Sequence, residues 1–337
     1  MSWKGAARSF AATTRRIERD QQRRARVAAQ QFKQLQKEQA VASAAQAVAA
    51  YNDYLAVIKS VHHDCSPPLD WVAMQGEQVP RAPVPSTEHE RTAQAALDAY
   101  QPGFFDRLFK RGPVKRERLA QAVVVASQHD QQVTAERQVD HARQHSEWQE
   151  RQELTAQVLV KNAEVYSQVL EAFAPFEGVA HLGSSLEFTF TADHIEVDVN
   201  VTTTEVIPNF VVSLLASGKL SRKALPISKF NELYQDYVCG CLLRVAREIM
   251  AHLPVSQVVV HAIAEQLNPA TGLLERQVVV SASMPRTTLG KLNFTALDPS
   301  DSMQNFNHTM KFIKTSGFQG VERVGLAAPL SSQRSRR

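Results

Sequence analysis

The sequence predicts an α+β protein, in which a long helical N-terminal half, a hairpin or irregular coiled-coil-like arrangement, precedes a compact antiparallel sheet with one crossing helix. Three observations predict this. Neither Gly nor Pro occurs between Gly5 and Pro67 or between Pro113 and Pro175, and these two residues are the main punctuators of helices. Gln is concentrated in residues 1–175, with 22 copies against 7 in residues 176–337. From residue 178 the apolar spacing changes to a period of two, the signature of strands.

The elements follow in order. Residues 1–65 read as one long helix with a basic N-terminal arm. Val41, Ala45, Val48, Tyr51, Leu55 and Ile58 step by three or four and mark a packed face. From Phe10 to Lys37 only Ile17, Val27, Phe32 and Leu35 are sizeable and apolar, too few for a continuous buried stripe. Residues 66–90 hold five prolines and read as a linker or extended surface loop. Residues 91–177 form a helical region: a short helix at 90–100, an apolar knot of Phe104, Phe105, Leu108 and Phe109 ringed by basic groups, and a helix over 114–174 with a polar middle. The aromatics of the knot are expected to plug the helical region, with an exposed aromatic–basic docking patch as the alternative. Strict heptads are not sustained, so a regular coiled coil is not supported.

Residues 178–325 form the α+β domain. Leu186, Phe188 and Phe190 face one way, and Ile195, Val197, Val199 and Val201 alternate with His194, Glu196, Asp198 and Asn200, so the two runs make a hairpin turning at 191–193. Residues 210–215 offer a further short strand. A helix capped by Ser228 runs to about His252 with a broad apolar face, and Pro254 ends it. Strands at 257–264 and 276–284 flank a turn at 268–272. Residues 326–337 read as a disordered basic tail.

The formal net charge of +4 hides an asymmetry: residues 1–40 carry a net +7, and Arg334, Arg336 and Arg337 add three more charges, leaving a mildly acidic body. Basic ends of this kind meet a polyanion or an acidic partner, or serve solubility. Arg16, Arg19, Arg23 and Arg26 share one helical face, and Arg15 and Arg24 lie beside them. Like charges at that spacing repel, so helix stability does not account for them; a solvated face and an anion-binding arm both do. No stretch approaches the roughly 20 apolar residues of a membrane span, and nothing after Met1 resembles a secretory signal. The acid-free first 17 residues superficially fit a transit peptide, but the pattern continues into the long helix. An odd count of three cysteines points to a reducing compartment, and the expected location is cytoplasmic.

Possible chemistry is sparse. Glu196 and Asp198, with Glu187 on the neighbouring strand, offer carboxylates of the kind that hold Mg²⁺ in phosphodiesterases. The acid-x-Lys pair expected beside them is missing, since Val206 and Ile207 follow Glu205, and the stripe reads as a solvent face. His62, His63, Asp64 and Cys65 are adjacent in sequence and cannot converge alone. Cys239 and Cys241 lie in a helix, where residues two apart diverge, and Asp236, Arg244, Arg247 and Glu248 read as surface pairs. No P-loop, dinucleotide fingerprint, nucleophile elbow or zincin motif occurs. No cofactor and no metal are expected.

The segments PGFFDRLFKR, LYQDYVCGCLLRVARE and LNFTALDPSDSMQNFNH resemble those of an uncharacterised bacterial protein family with no assigned function. The resemblance implies a bacterial cytoplasmic origin and offers no catalytic residues. The expected function is a non-enzymatic interaction protein. Its arm, through Arg15, Arg16, Arg19, Arg23, Arg24 and Arg26, would bind nucleic acid or an acidic protein surface by charge neutralisation. Alternatives are a metal-dependent phosphodiesterase or nuclease using Glu187, Glu196 and Asp198, a self-assembling helical scaffold with homo-oligomer contacts, and a membrane-surface arm carrying Trp3 and Phe10.

Overall fold

The computed structural model describes residue 27 and residues 44–104, 108–109, 111–176, 185–190, 194–201, 206–267 and 271–325. These form two compact units, a helical one of residues 73–153 and a sheet-bearing one of residues 44–72 and 154–325. The helices are α1 (Ala44–Lys59), α2 (Trp71–Gln75), α3 (Glu88–Asp98), α4 (Gly112–Leu159), α5 (Ala163–Phe173), α6 (Ile227–His252), α7 (Arg286–Leu289) and α8 (Pro299–Ser302). The strands are β1 (Ser185–Phe190), β2 (Ile195–Asn200), β3 (Phe210–Leu214), β4 (Leu220–Ala224), β5 (Gln257–Leu267), β6 (Leu274–Pro285), β7 (Asn307–Ile313) and β8 (Gly317–Gln319). The chain is thus α+β, helical first and sheet-bearing after.

Helix α4 runs 48 residues, of which 112–153 belong to the helical unit, with Pro113 in its first turn, where a missing N–H costs nothing. Residues 77–87 lie antiparallel along it, and α4 side chains pair with several of their backbone groups. Trp148 Nε1 donates to the Glu77 carbonyl, His141 Nε2 stands 3.1 Å from the Pro80 carbonyl, and Ser86 N donates to Thr134 Oγ1. Prolines keep this companion strand extended without needing donors of their own. The helix expected over 114–174 is divided at 160–162. Lys161 adopts φ 60° and Asn162 caps α5 by accepting from Glu164 N and Val165 N, a cap chemistry that restarts a helix in a new direction.

In the sheet-bearing unit six strands lie in the order β1-β2-β5-β6-β7-β8, and β3 pairs with β4 separately. The sheet expected to be wholly antiparallel carries one parallel pair, β2 with β5. The reason is α6: a long helix between the strands returns the chain to its starting end, so the next strand runs parallel. Ile195, Val197 and Val199 of β2 pair with Val258, Val260 and Ala262 of β5, which pair with Met284, Ala282 and Val280 of β6. All are fully buried, and α6 packs on this face through β5 and β8. β4, β7 and β8 escape sequence reading because LSRKA, NHTMKFI and GFQ lack apolar alternation.

The other side of α6 is covered as well. Tyr51 and Tyr54 of α1 donate to the carbonyls of Phe210 and Val206. Leu69 N donates to the Ala251 carbonyl and Trp71 Nε1 to that of His252. Helix α6 begins at Ile227 with Pro226, not Ser228, at its N-cap. Its end is held by Arg286, which donates to the Met250, Leu253 and Val255 carbonyls, placing a cation where orphan carbonyls accumulate.

Two predictions follow from the approach of residues 60–63 to α6. A Cβ at Gly240 would stand 2.7 Å from Val61 Cγ1, and a β-branched side chain cannot rotate away cheaply. Gly240→Ala is expected to destabilise by about 1–3 kcal/mol, overpacking outweighing the roughly 1 kcal/mol gained in helix propensity; thermal unfolding measures it. Beside it His62 is 1% exposed, and burial, then His63 and Arg247, lower its pKa from 6.5 to about 4. The unfolded chain therefore takes up a proton that the folded chain refuses, and stability falls as pH drops from about 6.5 to about 4. The loss approaches about 3 kcal/mol for this one group. Urea midpoints across that window, flatter in His62→Gln, check it.

Candidate functional site

The second face of the sheet is polar because of register. Glu196 and Asp198 alternate with the buried valines of β2, and their partners on β5 are Val259 and His261. His261 pairs in turn with Ser281 of β6. An extended strap, residues 320–325, lies over this face. Val321 N donates to the Val278 carbonyl, Thr309 Oγ1 donates to the Glu322 carbonyl, and Val324 N donates to Ser281 Oγ.

One hydrogen-bond chain links these groups. Ser281 Oγ lies 2.7 Å from His261 Nδ1, and His261 Nε2 lies 2.9 Å from Glu196 Oε1. Arg323 of the strap donates to Glu196 Oε1 at 2.8 Å and to Asp198 Oδ2 at 2.6 Å. A carboxylate facing Nε2 requires a proton there, so a neutral ring accepts at Nδ1 from the Ser281 hydroxyl, whose oxygen accepts from Val324. Burial, with Arg323 second, lowers the His261 pKa against the pull of Glu196, which keeps the ring neutral. For Glu196 burial raises the pKa, but Arg323 and His261 outweigh it and the carboxyl sits below its usual value. His261 and Ser281 are fully buried. Asp198 Oδ1 is buried without a hydrogen-bond partner among the described residues.

Ligand atoms of Glu196, Asp198 and His261 all lie within 4.8 Å of one another, a spacing that could hold a metal ion. The Arg323 guanidinium is the cation that bridges the two carboxylates. Glu187, although opposite Asp198 in register, instead faces Arg276 at 3.2 Å and Asn200. The three carboxylates read from the sequence are therefore not gathered into one site. The stripe expected as a solvent face is half covered by the strap. His261, Ser281 and Arg323 were not read from the sequence. The one signal for them was a histidine inside the apolar run of β5, where a buried polar residue needs a partner.

A second feature lies in the helical unit. Of the knot expected to plug the helices, Phe104, Leu108 and Phe109 are open to solvent, at 76%, 62% and 61% exposed. Arg111 stands over the Phe109 ring at 5.5 Å, and Lys115, Arg116 and Arg118 follow on the exposed start of α4. Phe105, Arg107 and Lys110 lie outside the described residues. So do Arg15, Arg16, Arg19, Arg23, Arg24 and Arg26, and the tail 326–337.

The remaining constellations are structural. Cys239 and Cys241 are both buried, and burial pushes the Cys239 thiol up. Arg244, Arg247 and Glu248, read as surface pairs, serve an interior junction. Glu248 is fully buried and accepts from Ser66 N, and Arg244 Nε stands 2.7 Å from it, an ion contact without hydrogen-bond alignment. Arg247 donates to the His62 and His63 carbonyls and covers the Phe294 ring at 3.8 Å. No family model, curated protein or solved structure matches the chain. Among the described residues no helix is long and apolar enough to cross a membrane.

Ser281→Ala is expected to cost about 1–3 kcal/mol, because a buried imidazole nitrogen and the Val324 N–H both lose their partner. Hydrogen exchange at the Val321 and Val324 amides should quicken in this variant and in Arg323→Ala, while the interior of α6 keeps its protection. Acid should act likewise. Glu196, held below its ordinary value, loses its contribution as pH falls through the folded pKa, and protonating the neutral His261 disfavours the folded state.

Proposed function

We propose that the chain is a non-enzymatic interaction protein that binds nucleic acid through basic groups, using the N-terminal arm and the segment 104–118. The observation that carries this reading is the exposure of Phe104, Leu108 and Phe109 beside Arg111, Lys115, Arg116 and Arg118. A basic arm alone neutralises phosphates without holding bases. Aromatic rings interleaved with basic groups add stacking worth about 1–3 kcal/mol per base, with little sequence preference. The arm residues Arg15, Arg16, Arg19, Arg23, Arg24 and Arg26 would then be phosphate contacts, and Phe104 and Phe109 base platforms.

The test compares the full chain, a chain lacking residues 1–40, and the full chain with Phe104, Phe109, Arg111 and Arg116 replaced by Ala, on single-stranded RNA and DNA across a salt series. Binding should weaken in both altered proteins. The slope of log affinity against log salt should fall by roughly 0.7 for each lost phosphate contact on single strands. Equal binding by all three proteins, or none by the full chain, overturns the reading. Retention on anionic vesicles without nucleic-acid binding would move the segment to a membrane surface.

The convergence of Glu196, Asp198 and His261 favours a second reading, a metal-dependent phosphodiesterase that works only once the strap is displaced. Its mark would be Mg²⁺- or Mn²⁺-dependent cleavage of DNA or RNA that rises in Arg323→Ala and disappears in Asp198→Asn. Absence of cleavage in every variant sinks it.

A further inference from the structure

A separate cluster of ligand-capable side chains lies wholly in the helical unit. His89, in the first turn of α3, and His129, on α4, bring their rings to 4.4 Å between centroids at 54°. Asp130 adjoins them, and one ligand atom from each of the three residues lies within 4.8 Å of the others. Both histidines are exposed, whereas the Asp130 side chain is 3% exposed.

The three residues have different duties. Asp130 Oδ1 accepts from Ser86 Oγ at 2.7 Å and lies 2.9 Å from His89 Nδ1, and Oδ2 accepts from Glu90 N at 2.9 Å. A carboxylate so committed, with both oxygens already engaged, is poorly placed to ligate an ion itself. It serves instead to accept the Nδ1 proton of His89, which fixes the tautomer and leaves Nε2 with its lone pair. Carboxylate–histidine pairs of this kind stand behind metal-binding imidazoles generally.

We propose that His89 and His129 bind a divalent transition-metal ion of the zinc class, with Asp130 as the positioning carboxylate behind His89. Imidazole donors select zinc, nickel, cobalt or copper over magnesium and calcium, which take oxygen ligands. Two protein ligands leave about two positions of a tetrahedral ion open. His89 and His129 line a groove of about 790 Å³ between α3 and α4, together with Ala93, Ala96, Ala122 and Val125. A small molecule or peptide side chain with its own donor atom could therefore complete the coordination from the groove. Glu88 and Arg118, also on the groove lining, oppose each other in charge.

The same unit contains a rival chelator, His141 and His145, one helical turn apart on α4 with rings 6.0 Å apart, and the experiment must separate the two. The full chain is titrated with Zn²⁺ by calorimetry, beside His89→Ala, His129→Ala, Asp130→Asn and the double variant His141→Ala/His145→Ala. Circular dichroism checks that each retains its helix content, and the visible spectrum of the Co²⁺-loaded chain reports nitrogen ligation. The expected result is one ion per chain, with affinity reduced at least about tenfold in each single histidine variant and unchanged in the double variant. Asp130→Asn should weaken binding about 10- to 100-fold. Since Asp130 also anchors the start of α3, the exposed histidine variants decide the matter if that protein fails to fold. Three outcomes overturn the assignment: no binding by the full chain, undiminished binding in both His89→Ala and His129→Ala, or loss confined to the double variant.

Discussion

The burial of α6 governs the sheet-bearing unit. Its side chains from Tyr234 to Ala251 are almost all enclosed, including Cys239, Cys241, Leu242, Leu243, Val245, Ala246 and Ile249. A helix apolar on so many sides cannot rest on a sheet with its back to water. The sheet covers one side, and α1, residues 60–72 and α8 cover much of the rest. This enclosure draws the polar residues of α6 inside with it. Glu248 and Arg247 then need partners, and the backbone of residues 62–66 supplies them, while Arg244 faces the carboxylates of Glu248 and Asp64. Leaving any one unpaired would cost several kcal/mol, so residues 60–72 are held by electrostatics as well as by packing.

The opposite face of the sheet follows a different rule. Alternation places apolar side chains toward α6 and polar ones away from it, but the polar ones are not left to water. The strap closes over His261 and Ser281, and Arg323 neutralises Glu196 and Asp198. The arrangement is self-consistent: each donor of the chain from Val324 through Ser281 and His261 to Glu196 meets one acceptor. Buried polar networks are tolerated when they are satisfied in this way. For function the consequence is that the richest chemistry in this unit lies beneath a segment of the protein itself, whereas the helical unit carries exposed aromatics, basic groups and paired imidazoles.

Much of the architecture was legible in the residues. The α+β division, β1, β2, β5, β6 and α6 could be read because their apolar periods are clean. The break at Asn162 is a local cap, and its three-residue interruption carries neither Gly nor Pro. The polar strands β4, β7 and β8 gain their order from neighbours and not from their own pattern. Of the candidate site, Glu196 and Asp198 were visible as a stripe on one strand. Their partners were not, since His261 and Arg323 come from 65 and 127 residues further along the chain.

By itself the sequence determined the helical first half, the strands β1, β2, β5 and β6, the helix α6 and the side of each that prefers an apolar neighbour, because those properties depend on spacing along a local backbone. It also determined the charge asymmetry, with basic ends on an acidic body. Only the tertiary structure decided that β2 and β5 run parallel, that Glu187 turns to Arg276, that Phe104 and Phe109 face solvent, and that His89 and His129 meet beside Asp130. Each of these depends on distances between residues remote in sequence, and such distances are set by which surfaces pack together, a property no local pattern encodes.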